Sequence, residues 1–258
     1  MFVLPNALKQ RVSAIAEGLV QSVTLGVGQF CTNPGLVFGV QDEGFSEFIE
    51  QTAKLAASAA PGNMLYEGIC IRFHQGVERA RSIPGVRLAA QSSAAAKPGQ
   101  APATVFVTDS RTFLEQEALH EELFGPGTLI VTCSSATELE RIALALPGQL
   151  TATLHGTEAD LAQHQNLVSI LQQKAGRLIF NGFPTGVEVC PAMHHGGPYP
   201  ATTYPQFTSV GTAAIRRFAR PVCFQNFPDA LLPVELQNKN LRKIWRVIDG
   251  QLTKDDCS

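Results

Sequence analysis

Apolar positions recur along this chain with two periods, one helical and one alternating, and blocks of the two kinds succeed each other. Leu8, Val12, Ile15, Leu19 and Val20 keep helical spacing after a first-turn proline, predicting a helix from Pro5 to about Ser22. Phe45, Phe48, Ile49 and Leu55 predict a second helix over Asp42 to Ala60, stopped by Pro61-Gly62. A third is expected from Leu65 to about Ser82, an amphipathic helix carrying Cys70 and His74 as structural residues rather than metal ligands. Short apolar or alternating runs predict strands at Leu36 to Val40, Val86 to Ala90, Thr104 to Thr108, Leu150 to Leu154 and Leu178 to Phe180. Thr128 to Cys133 is a continuous apolar run, the pattern of a strand buried on both faces. Ser135 and Glu138 have capping-box spacing for a helix over Thr137 to Leu146, which Pro147-Gly148 ends. A further helix is expected over Asp160 to Lys174, with Gly176 as its C-cap.

Strand, helix, strand, helix, strand is the rhythm of an α/β domain with a mostly parallel sheet. Ser92 to Pro102, rich in Ala, Ser, Pro and Gly, reads as a surface loop. Phe183 to Tyr204 is crowded with Gly, Pro and paired His and has too few periodic apolar residues for a regular element. Phe218 to Phe224 is a strand candidate, and Leu231 to Ile248, with Trp245, a helical or irregular packing tail.

Composition narrows the partners. The 258 residues are 45% hydrophobic and only 16% charged, with a net charge of −2, so no basic excess marks a nucleic-acid or anionic-membrane partner. No apolar stretch approaches the ~20 residues of a membrane span. Six cysteines at irregular spacing, without a signal-peptide pattern, fit a reducing, cytoplasmic setting. Low charge with 22 Gly and 16 Pro leaves apolar surface free for partners. No metal-ligand spacing stands out: adjacent residues such as His194 and His195 project differently and lack a third ligand, so they read as a polar loop or a channel mouth.

The candidate chemistry lies in Val23 to Val37. Cys31 sits between Gly26 and Gly28 on one side and Pro34-Gly35 on the other, ahead of the Leu36 strand. Glycine permits tight backbone approach and positive φ, so such a loop can present a thiol while aiming its own N–H at a reacting carbonyl. The alternative for a free cysteine is a small buried apolar residue. Gly28-Gln29-Phe30-Cys31-Thr32-Asn33-Pro34-Gly35 resembles the nucleophile loop of the aldehyde dehydrogenase superfamily, in the branch of α-ketoglutaric semialdehyde and fatty aldehyde dehydrogenases. Glu121-Glu122-Leu123-Phe124-Gly125-Pro126 resembles a second box of that family, and Gly176 to Gly182 its late strand ending in Asn-Gly, all in family order.

The resemblance implies a Rossmann-like catalytic domain over residues 1–217 and an oligomerisation strand and tail over residues 218–258. It implies that Cys31 is the nucleophile, that Glu122 holds the ribose of NADP or NAD, and that Phe124 packs against that ring or ribose. Glu121 is expected in solvent, and Asn181-Gly182 is expected to support the nucleophile loop. The family's cofactor domain and its upstream general-base Glu have no counterpart here, so the cofactor is expected to be bound mainly by an absent N-terminal half. The implied reaction is oxidation of an aldehyde to an acid, with 2,5-dioxopentanoate favoured and a fatty or other aliphatic aldehyde as the alternative. A non-catalytic remnant or binding domain is the reading from another class. Implied partners are the aldehyde, further copies through the C-terminal strand, or the missing half. The thiol itself has no basic neighbour in sequence to activate it.

Overall fold

The structure is a computed structural model that describes residues 1–257. In chain order its strands are β1 (Phe2–Val3), β2 (Leu36–Val40), β3 (Gly62–Asn63), β4 (Arg87–Gln91), β5 (Gln100–Ala101), β6 (Thr104–Asp109), β7 (Gly127–Cys133), β8 (Gln149–His155), β9 (Ala175–Phe180), β10 (Arg246–Ile248) and β11 (Gln251–Thr253). Its α-helices are α1 (Pro5–Thr24), α2 (Glu43–Ser58), α3 (Glu67–Ser82), α4 (Ser110–Glu115), α5 (Ala136–Ala145), α6 (Glu158–Gln163) and α7 (Gln165–Lys174). Seven strands form one sheet in the order β4-β6-β7-β2-β1-β8-β9, parallel except where edge strand β4 runs against β6.

Alternation along each strand feeds two apolar layers. Val3, Val37, Val105, Val107 and Ile130 point to the face covered by α1 and α2, where Phe45 and Phe48 fill the core. Phe2, Phe38, Phe106, Leu129 and Val131 point to the other face, against α3, α4, α5 and α7. Burial on both faces is why the central strands read as nearly unbroken apolar runs.

β1 is two residues long, too short for a periodic signal, yet it lies mid-sheet between β2 and β8. The predicted helix over Asp160 to Lys174 is two helices. Thr157 caps the first in a reciprocal capping box with Asp160, and His164 (φ −112°, ψ 33°) breaks the ladder before α7 begins. Gly176 does not cap α7. Ala175 turns extended at that point, and Gly176 already belongs to β9. At α5 Ser135 accepts from Glu138 N, but the Glu138 carboxylate accepts from Ser134 N (2.7 Å) and Ser110 Oγ (2.8 Å) rather than closing a box on Ser135.

The carboxyl end of the sheet is closed by side chains. Asp160 Oδ1 accepts from Asn6 N at the start of α1 (3.2 Å) and its Oδ2 from Thr157 N at the start of α6 (2.8 Å), so one buried acid serves two helix N-termini. Asn181 Oδ1 accepts from Arg11 Nη2 (2.6 Å) and Gly156 N (2.9 Å).

Residues Met1–Arg217 and Phe218–Ser258 form two compact units. In the second, Phe218–Phe224 is not a strand: the turn Thr212–Phe218 is 3₁₀, and irregular backbone follows. Pro221 removes a ladder donor there, and so short a segment gains strand geometry only beside an edge. The expected helical or irregular tail consists of 3₁₀ turns at Asp229–Leu231 and Val234–Leu236 and a β10–β11 hairpin. Buried Asn240 organises it, its Nδ2 donating to Ile244 O (2.8 Å) and Lys254 O (2.9 Å).

Candidate active site

Parallel strands gather their amino ends on one side of the sheet, and the segments leading into β2, β7 and β9 meet there with the loop that follows β9. α1 runs back from the carboxyl end and delivers the chain to this side at Thr24. A 3₁₀ turn, Leu25–Gly28, follows, with Gly26, Val27 and Gly28 at φ 55°, 58° and 66°. Left-handed backbone is open to glycine and strained for a branched residue such as Val27, so the corner is held by its surroundings. A Cβ on Gly28 would overlap the Gly125 carbonyl, so glycine lets the two loops touch backbone to backbone. Beyond this corner the Cys31 side chain is exposed.

The loop before β7 is stapled to the loop before β2. Asn33 Nδ2 donates to Gly125 O (3.1 Å) and Gly127 O (3.4 Å), and Thr128 Oγ1 donates to Pro34 O (2.8 Å). Cys31 and the Glu122–Phe124 segment are therefore held as one body, and Cys31, Asn33, Glu122 and Phe124 all line one cavity of about 530 Å³. Burial pushes the Glu122 carboxyl above its ordinary range. Glu121 faces solvent and meets Arg79 at 3.8 Å, an exposed pair of little energetic weight.

After β9 the chain turns at Asn181 (φ 56°) and returns along α1, Phe183 packing on Gly18 and Thr185 Oγ1 bonding Ser22 Oγ (2.6 Å). Asn181-Gly182 thus lies at the carboxyl end of the sheet, away from the Cys31 loop it was expected to support. The segment that follows is the one that approaches Cys31. His194 to Pro200 lies against the amino ends of β8 and β9, so close that a Cβ on Gly176 would overlap Gly196 O and one on Gly148 would overlap Pro198 O. This close approach is the reason for the glycine first read as a helix cap.

The same segment brings His195 Nε2 to 3.4 Å from Cys31 Sγ, across 164 residues of sequence. The basic partner that the sequence around Cys31 lacks is therefore supplied from far down the chain. Burial, then the charges of Arg177 and His194, hold the imidazole below its ordinary pKa. Its Nδ1 is buried without a hydrogen-bond partner. In the tautomer that carries its proton on Nδ1, a neutral imidazole at this distance has a free Nε2 lone pair to take a proton as the sulfur attacks. The paired His followed by Gly-Gly was the available sequence signal; spacing alone could not connect it to Cys31. Among the described residues no group of three or more His, Cys, Asp or Glu could hold a metal ion. Nor is any helix of the described residues long and apolar enough to cross a membrane.

No protein-family model matches the chain. It is 47% identical over 247 residues to alpha-ketoglutaric semialdehyde dehydrogenase 2 of Azospirillum brasilense, an alignment covering 96% of this chain and 47% of that protein. It is 40% identical over 256 residues to alpha-ketoglutaric semialdehyde dehydrogenase of Acinetobacter baylyi, covering 99% of this chain and 49% of that one. The chain thus spans about half the length of the curated relatives it matches. Among solved structures, lactaldehyde dehydrogenase from Escherichia coli superposes with a TM-score of 0.67 at 19% identity, covering 84% of this chain and 44% of that one. Proline utilization A from Bdellovibrio bacteriovorus gives 0.70 at 18% identity, over 86% of this chain and 23% of that one.

Proposed function

We propose that this chain, which belongs by sequence and fold to the aldehyde dehydrogenase superfamily, is the nucleophile-bearing half of an NAD(P)-dependent enzyme that oxidises an aldehyde to a carboxylic acid. The favoured substrate is 2,5-dioxopentanoate, giving 2-oxoglutarate; what supports it is the name carried by the relatives at 47% and 40% identity. The observation that carries the reading is the sharing of one cavity by Cys31, Glu122 and Phe124.

Cys31 Sγ attacks the aldehyde carbon, forming the S–C bond as the carbonyl π bond opens and the thiol proton passes to His195 Nε2. The Cys31 backbone N–H is the oxyanion donor on this chain. With NAD(P) bound, Glu122 would accept hydrogen bonds from ribose hydroxyls and Phe124 would pack against the same group, a fit to the acid and the aromatic face on that cavity. When bound, NAD(P) supplies the hydride acceptor that raises the captured aldehyde to the acyl level. Once the proton taken from the thiol has left His195 Nε2 for solvent, the neutral imidazole is again the base on this chain: it takes a proton from water as the water oxygen bonds to the acyl carbon and the acyl–sulfur bond breaks, freeing the acid and the Cys31 thiolate. The half that grips the rest of the cofactor is a partner or a preceding domain, and further copies of the enzyme associate through the 218–258 region.

The test is a chimaera in which this chain replaces the corresponding half of the Azospirillum relative. Aldehyde-dependent reduction of NAD or NADP is expected, with a loss of at least ~10³-fold on Cys31→Ala. The isolated chain should give none. A folded, cofactor-binding chimaera that never reduces cofactor with an aldehyde would overturn the reading.

A further inference from the structure

We infer that Thr208 and Ser209 are the positioning residues that build the Cys31–His195 pair, an inference that rests on the base role given to His195 above. From Asn181 to Gly211 no helix or strand fixes the backbone, yet His195 must sit within one hydrogen bond of a thiol on another loop. Both polar backbone atoms of His195 are held by this one dipeptide. His195 N donates to Thr208 Oγ1 (2.8 Å), while Ser209 N (3.0 Å) and Ser209 Oγ (2.8 Å) both donate to His195 O. Thr208 is only 6% exposed, and its hydroxyl proton is committed to Val210 O (2.7 Å). That commitment leaves the oxygen lone pairs for His195 N, so the hydroxyl acts as a one-way clamp.

The ring has no such anchor of its own. Its Nδ1 is unpartnered, and the charged neighbours Arg177 and His194 disfavour its protonated form without holding its position. Backbone placement by Thr208 and Ser209 is what aims Nε2 at sulfur. Misplacement by about 1 Å at a reacting pair can cost on the order of a hundredfold in rate.

The test uses the full chain and brief iodoacetamide labelling of Cys31 from pH 5 to 9, read by peptide mapping. Wild type should show an alkylation limb below pH 7 that reports loss of the His195 proton. His195→Gln should remove that limb and slow labelling at pH 7 at least tenfold. Thr208→Val, which keeps the shape and loses the hydroxyl, should reproduce the His195→Gln profile, and Thr208→Ser should restore the wild-type one. A purely structural Thr208 would change unfolding midpoints without moving the pH profile. If Thr208→Val also labels buried Cys70, showing a loosened fold, Ser209→Ala is read instead: a fall of about threefold at pH 7 supports the clamp and an unchanged profile overturns it. A wild-type profile in Thr208→Val alone overturns the clamp. A wild-type profile in His195→Gln overturns the base reading beneath it.

Discussion

The six cysteines range from exposed to fully buried. Cys133 lies fully buried on β7, where burial and then Glu138 push its thiol to about 12. Cys70 is buried on α3 with its Sγ against Gln100 O (3.5 Å). Cys31 is exposed beside an imidazole. Under native conditions at pH 7 it should be alkylated first, with exposed Cys223 and Cys257 as competitors; earlier labelling of Cys70 or Cys133 would count against its role. His155 makes a second prediction. It is 1% exposed on β8, its ring 4.9 Å from that of Phe183, and burial, then Arg11, hold its pKa down to about 4. The unfolded chain binds this proton near pH 6.5 and the folded one only near 4, so stability is full above 6.5 and falls as pH drops between the two values. The loss approaches about 3 kcal/mol by pH 4. Urea midpoints at pH 7 and pH 5 should diverge less in His155→Leu than in wild type. At this scale the Cys31 and Glu122 loops that share one cavity could be singled out in sequence because loop motifs are local. His195 was not, because its partner is set by tertiary folding.

Elements were legible in proportion to their length and periodicity. α1, α2, β2 and β7 begin and end within about two residues of their sequence patterns, since each has a continuous apolar face to bury. The failures have separate causes. β1 is stabilised by its two neighbours rather than by its own residues. The α6–α7 break falls at His164, which apolar spacing does not mark. The Phe218–Phe224 segment has β-rich composition but pairs with no strand among the described residues. The contact between the Cys31 and Glu122 loops is itself an element-scale feature, and Gly28→Ala tests it. The added methyl meets the Gly125 carbonyl on a backbone at φ 66°, so overpacking and left-handed strain act together. A loss of about 2–4 kcal/mol in urea unfolding is expected, together with blunted Cys31 reactivity. A loss under about 0.5 kcal/mol would mean that the two loops are not clamped as described.

For the whole molecule the decisive question raised by the proposed function is how chemistry at Cys31 would be matched to a cofactor held by another domain or subunit. In the chimaera, Glu122→Gln should leave alkylation of Cys31 unchanged while slowing aldehyde oxidation by on the order of a hundredfold. A deuterated aldehyde should then show a larger isotope effect, because C–H cleavage becomes more rate-limiting. An unchanged rate and isotope effect would reduce Glu122 to an exposed acid with no part in positioning. The α/β architecture and parallel sheet were readable from the alternation of strand and helix patterns. That the site would form at the amino ends of the strands was not, since no periodicity says which end of a sheet the reactive loops will share.

The closed carboxyl end of the sheet has a consequence for how this molecule can change. In open parallel sheets ligands ordinarily settle in the crevice beyond the carboxyl ends. Here that end is occupied by the Asp160 bridge between two helix starts and by Arg11 on Asn181. Maintenance of the fold and supply of reactive groups are thus assigned to opposite rims. A library varying residues 29–35, 121–126 and 194–200 should therefore yield many folded proteins with altered thiol reactivity. One of equal size at residues 4–11, 155–160 and 180–182 should yield mostly unfolded ones, so new specificities in this scaffold have one rim from which to arise.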